Sequence, residues 1–196
     1  MSLLSKFAEL HELTNVYSRE LGWSRAPKLE LGPGWRCAYS MAEHRITMGV
    51  DVLHHASPAT CKAILAHEVG HSAEPLFRLW HWTARTLPAL CLLMGLFLLL
   101  SYSLGLVVAG GCLAVALLLL AFVWTYPALV AKKYLLAVER SADRRAAKLV
   151  GADTMHAALE EYARLANGGN VGKIGQARRA ALQQMMAQSA SRCVTS

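Results

Sequence analysis

The sequence predicts a mainly α chain with a small antiparallel β element and a two-helix transmembrane hairpin set between its halves. Three observations carry that expectation. Apolar residues recur at helical spacing near both ends of the 196-residue chain. Short β-like runs with Gly and Pro punctuation occupy residues 28–50. No charged residue and no histidine occurs from Leu87 to Ala131.

A chain of this length suits a single domain over residues 1–196. Hydrophobic residues make up 55% of it, and much of that excess sits in the uncharged block. The formal net charge of +7 is unevenly placed. Nine basic residues nearly cancel eight acidic ones up to Arg85, whereas eleven basic residues face five acidic ones from Lys132 onward. A basic half after an apolar block implies a surface facing anionic lipid on the cytoplasmic side, so a lipid bilayer is an expected partner. No aromatic-interleaved basic motif accompanies the charge, which argues against nucleic acid. The five cysteines are odd in number and form no CxxC pair, so neither a disulfide framework nor a cysteine zinc site is indicated.

The expected elements divide the chain into residues 1–85, 86–131 and 132–196. Lys6, Glu9 and Glu12 interrupt any signal-peptide core, whereas Leu3, Phe7, Leu10, Tyr17 and Leu21 mark an amphipathic helix from Ser2 to Leu21 that ends at Gly22. Leu29 and Leu31, then Trp35 to Ser40, then Arg45 to Val50, read as short strands. Ser57-Pro58 is a helix start signal, an N-cap followed by proline at the first helical position, and opens a helix from about Ala59 to His71. Glu74-Pro75 marks a break, and the aromatic and basic run from Leu76 to Arg85 suits a membrane interface. A span needs about 20 apolar residues. Leu87 to Leu106 and Cys112 to Ala131 supply two legs, with Gly105, Gly110 and Gly111 near the turn. Beyond them, helices are expected from Tyr134 to Val150, from Asp153 or Thr154 to Ala166, and from Lys173 to Ser189.

Two segments carry chemistry. His67-Glu68-Val69-Gly70-His71 places two imidazoles four residues apart, about one helical turn, so both can face one metal ion. Glu68 is rotated off that pair yet near enough to reach a water beside the metal. Downstream, Glu139 and Asp143 lie four apart on a second helix, one carboxylate for zinc and one to hold the far nitrogen of a ligand histidine. The alternative for Glu139-Arg140 and Asp143-Arg144-Arg145 is a solvated, salt-bridged helix face. Gly70 leaves room beside His71 for another helix to approach. His54 and His55 read as solvated or capping residues, His11 and His44 as surface positions and Cys61 as core.

His67 to His71, followed by Glu139-Arg140-Ser141-Ala142-Asp143-Arg144-Arg145-Ala146-Ala147, resembles the HtpX-like and CAAX-prenyl-protease-like integral-membrane metallopeptidases. These are gluzincins, with a zincin-like protease domain. Ile46-Thr47-Met48-Gly49-Val50 is similar to the strand that precedes the motif helix there, a region where an edge strand pairs with extended substrate. The resemblance implies that His67, His71 and Glu139 bind one zinc ion per chain. It makes Glu68 the general base and Asp143 the partner of a ligand histidine, His67. Arg85 before the two legs and Lys132-Lys133 after them make the chain an expected two-pass protein of the bacterial cytoplasmic membrane with termini and site on the cytoplasmic face, and the resemblance implies cleavage of membrane-associated or unfolded proteins. For the group that polarises the substrate carbonyl, His81, His156, Tyr134 and Tyr162 are candidates.

Two other readings compete. HExxH inside the bilayer would mean intramembrane cleavage, but the motif helix carries Lys62 and precedes the apolar block. The chain lacks the two earlier spans and the His-Pro segment of HtpX-like members, which motivates a non-catalytic zinc-binding membrane adaptor as the alternative.

Overall fold

The computed structural model describes residues 2–73, 91–97, 99, 135–168 and 172–194. The chain divides into two compact units, one of Met1–Glu74 with Leu136–Ser196 and the other of Pro75–Leu135. In the second unit the described residues 91–97 are helical, and Leu92, Leu93, Leu96 and Phe97 are exposed.

The first unit begins with α1, Leu3–Glu20, capped by the Ser2 hydroxyl accepting from the Ser5 N–H. Gly22, at φ 81°, ends it in the left-handed conformation that glycine adopts freely. Three strands follow: β1 (Lys28–Gly32), β2 (Ala38–Ser40) and β3 (Arg45–Gly49). The chain then forms α2 (Val50–His55) and the motif helix α3 (Pro58–Ser72), in which Ser57 caps Thr60 N–H and Pro58 takes a position needing no amide donor. Residues 135–150 form α4. Gly151, at φ 89°, separates it from α5 (Ala152–Asn167), and α6 (Lys173–Val194) closes the unit.

The sheet corrects the antiparallel expectation. Its order is β1-β3-β2, with β1 parallel to β3 and β2 antiparallel to β3. The reason is burial. Ile46 and Met48 of β3 are wholly buried, so the most apolar strand takes the centre and the chain reaches it by passing out through β2 and hairpinning back. His54 and His55 end the short helix α2.

The expected transmembrane hairpin is likewise corrected. Among the described residues no helix is long and apolar enough to cross a membrane, and the fold is helical with a small mixed sheet. Most of residues 86–131, the interfacial run to Arg85, His81 and Tyr134 lie outside the described residues. The core of the first unit gathers Leu10, Ile46, Met48, Leu53, Leu65 and Leu182 from α1, β3, α2, α3 and α6. This core seats α3 so that nearly every residue from Thr60 to Gly70 is buried, the motif included.

Candidate metal centre

Helical spacing puts His67 and His71 on one side of α3, with their Nε2 atoms 3.0 Å apart. Helix α4 delivers Glu139 against both. Its Oε2 lies 3.3 Å from His67 Nε2 and its Oε1 3.5 Å from His71 Nε2. One ligand atom from each of the three residues falls within 4.8 Å of the others. These separations suit one small cation. A tetrahedral ion with bonds of about 2.0–2.1 Å holds neighbouring donors about 3.3 Å apart. Two imidazoles and a carboxylate make a zinc-type donor set.

Four residues along α4, Asp143 sits almost fully buried, its Oδ1 2.8 Å from His67 Nδ1. That contact fixes the ring so that Nε2 faces the cluster. Glu68 has a further partner from the sheet. It is 7% exposed, and the main-chain N–H of Tyr39 donates to its carboxylate. Because that N–H is turned toward α3, it does not enter the β2–β3 ladder. The outer edge of β2 therefore lies beside the motif helix. Strand β3 is central and has no edge to offer an incoming strand; among the described residues nothing pairs with the outer edge of β2.

A residue that sequence reasoning missed completes the cluster. Arg178 of α6 donates through Nε to Asp143 Oδ2 and through Nη2 to Asp143 Oδ1, both at 2.7 Å. Its Nη1 lies 2.8 Å from Glu139 Oε2, and Nη2 lies 3.3 Å from His67 Nδ1. A fork of donors spanning two carboxylates is what arginine supplies and lysine cannot. The signal was present. Arg178 stands four residues before buried Leu182 and seven before Met185, on the apolar face of its helix, where a cation needs a buried partner.

The electrostatics follow from burial and these contacts. Burial pushes Glu68 above the ordinary carboxylate value, with His67 opposing and Glu139 adding to the rise. Burial works against ionised Glu139 too, but the His67 hydrogen bond and the charges of His67 and Arg178 hold it at about 2. Asp143 is held low for the same reasons. The two histidines separate. Burial and Arg178 oppose the His67 cation, yet hydrogen bonds to Asp143 and Glu139 raise it to about 9. Burial and the neighbouring His67 charge drive His71 down to about 3.

Of the candidates for carbonyl polarisation, the two among the described residues, Tyr162 and His156, are engaged with other partners. The Tyr162 hydroxyl donates to the Trp35 carbonyl oxygen at 2.7 Å. His156 is beside Gln183, at 3.4 Å, away from the cluster. Of the remaining histidines, His44 is engaged by the Tyr39 hydroxyl and the Arg25 carbonyl, both at 3.0 Å, and His55 stacks on Trp35.

Comparison with known proteins agrees with this geometry. The family model described as Peptidase family M48 matches residues 5–189, a span that includes every residue of the cluster. Searches of the curated proteins and of the solved structures gave no match.

Proposed function

The chain belongs to peptidase family M48, and from that premise we propose that it is a zinc-dependent endopeptidase acting on extended stretches of protein substrates. The observation that carries the reading is the convergence of His67, His71 and Glu139 from two helices, with buried Glu68 beside them. Within the family, the runs Glu139–Ala147 and Ile46–Val50 favour the HtpX-like branch.

In this reading His67, His71 and Glu139 hold one zinc ion. Zinc held there would supply a Lewis acid and would bring the pKa of water towards neutrality. Glu68 accepts the proton of the attacking water and passes it to the leaving amine. Its raised proton affinity suits that exchange, since a base far below neutrality would not hold the proton long enough to deliver it. Tyr39 N–H fixes the direction of the Glu68 carboxylate. Asp143 holds His67 in the tautomer that leaves Nε2 free for metal, and Arg178 keeps Asp143 and Glu139 ionised and oriented. Extended substrate would add to the open edge of β2, where main-chain pairing is independent of side-chain sequence.

Metal content and cleavage together test the proposal. Purified wild-type protein should hold about one zinc per chain, strongly reduced in Glu139→Ala. Glu68→Gln should keep its zinc and lose cleavage of an unfolded protein such as casein. Undiminished cleavage by Glu68→Gln would end the mechanism. Zinc binding without any cleavage by the wild type would leave a metal-binding adaptor instead.

A further inference from the structure

We infer that Tyr162 is a positioning residue for substrate: it anchors the segment that leads into β2, and so sets the strand edge against the catalytic helix. The inference rests on the peptidase reading and extends it to how substrate is held.

Strand β2 has three residues and, among the described residues, pairs with β3 alone. So short a ladder cannot by itself fix the strand to the precision a reacting bond requires. Something upstream must hold it, and the approach through Gly34 to Arg36 is held on several sides. The Gly34 carbonyl accepts from Asp51 N–H at 3.1 Å. A Cβ on Gly49 would collide with that same carbonyl and come within 2.9 Å of the Trp35 carbonyl carbon, so the backbones of the two segments touch. The Trp35 ring stacks on His55, centroids 5.6 Å apart. These contacts come from β3 and α2. The Tyr162 hydroxyl, donating to Trp35 O, adds a tie from α5.

Helix α5 has a second attachment one residue earlier. Glu161 accepts from Ser57 N–H at 2.8 Å, from the Ser57 hydroxyl at 2.7 Å and from the Thr60 hydroxyl at 2.5 Å, all at the start of α3. Adjacent helical residues point about 100° apart, so one turn of α5 can hold two different elements. Glu161 holds the helix that carries His67, Glu68 and His71. Tyr162 holds the segment that, four residues beyond Trp35, presents Tyr39 N–H to Glu68. The start of the motif helix and the approach to β2 are thereby both tied to α5, and an extended substrate would meet the two elements so held.

The test uses zinc-loaded full-length protein with Tyr162→Phe, which keeps the packed ring and removes only the hydroxyl. Steady-state cleavage of a long internally quenched peptide is measured alongside zinc content and hydrogen exchange of residues 35–40. The expected result is a KM raised about threefold to tenfold, the range that one lost hydrogen bond supplies, with kcat within about twofold. Zinc content should be unchanged and exchange of residues 35–40 faster. A cleaving wild type whose variant keeps both its KM and its exchange overturns the inference alone. A variant that loses kcat in proportion to zinc also overturns it, because Tyr162 would then act on the metal site. A wild type that binds zinc but cleaves neither casein nor peptide ends the peptidase reading, and this inference with it.

Discussion

Gly70 of the motif helix and Ala142 of α4 meet backbone to backbone: a Cβ on Gly70 would lie 2.9 Å from the Ala142 carbonyl oxygen and 3.2 Å from its Cα. This contact brings α4 near enough for Glu139, one turn before Ala142, to reach both imidazoles, and for Asp143, next to it, to reach His67. Arg145 Nη1 also reaches across to the Gly70 carbonyl, at 3.3 Å. Any side chain at position 70 would separate the helices that share the site.

Gly70→Ala should therefore impair metal binding more than folding. Forcing a methyl against backbone costs about 1–3 kcal/mol, whereas ligand atoms displaced by a few tenths of an ångström no longer converge. Zinc affinity measured by competition with a chelator should fall at least about tenfold. An unchanged affinity would mean that the close approach has no bearing on the site.

Arg178→Ala should destabilise the metal-free protein by up to about 3 kcal/mol, because it removes one of the two cations, Arg178 and His67, that hold buried Asp143 and half-buried Glu139. Zinc brings its own positive charge to the same carboxylates, so the loss should shrink on metal loading. Thermal unfolding of wild type and variant, with and without zinc, checks this. Equal losses in both states would count against it. Arg178→Lys should not restore wild-type stability, since an ammonium cannot span both carboxylates.

Glu161→Gln should cost about 1 kcal/mol by weakening the cap on α3. Hydrogen bonds from Ser57 and Thr60 lower the Glu161 carboxyl from its ordinary value of 4.5, although burial opposes them. This contribution is present above 4.5 and lost as pH falls through the lowered value. Urea unfolding at neutral pH and in acid should show the two proteins converging in acid. A gap that widens there would be inconsistent with a charged cap.

Metal-free protein should be most stable near the ordinary histidine value of 6.5. His67, raised to about 9, contributes fully below 6.5 and loses its contribution as pH rises through 9. His71, lowered to about 3, contributes fully above 6.5 and loses its contribution as pH falls towards 3. Glu139, at about 2, adds a further loss below 4.5. Denaturant unfolding in a chelator across pH measures the profile, and a maximum above about pH 8 would show that His67 does not titrate as stated. Zinc loading near about pH 7.5 should release about one proton, from His67, readable by calorimetry in buffers of different ionisation enthalpy.

Much of the site was legible because its parts are local. HExxH sets two imidazoles one turn apart on any helix, and Ser57-Pro58 announces that helix without reference to the rest of the chain. Glu139 and Asp143 share a face for the same reason, and small Gly70 marks the place of close approach. Arg178 was not legible in this way. Its partners lie 35 residues or more away in sequence, on other helices, and a basic residue on a basic helix looks solvated until Leu182 is seen to be buried and Met185 half-buried.

The sheet and the uncharged block mark the same boundary. Strand positions followed from short-range punctuation, but pairing depends on which strand the core buries most completely, and Ile46 and Met48 put β3 in the middle. Composition from Leu87 to Ala131 suggested a membrane hairpin, yet among the described residues no helix has the length and apolarity to span. The sequence by itself determined which side chains could hold a metal and move a proton, because helical periodicity acts over a few residues. Only the tertiary structure decided that Arg178 joins them, that Tyr39 N–H meets Glu68 and that β2, not β3, is an edge strand beside the motif helix. Those contacts depend on how separate elements pack around one core.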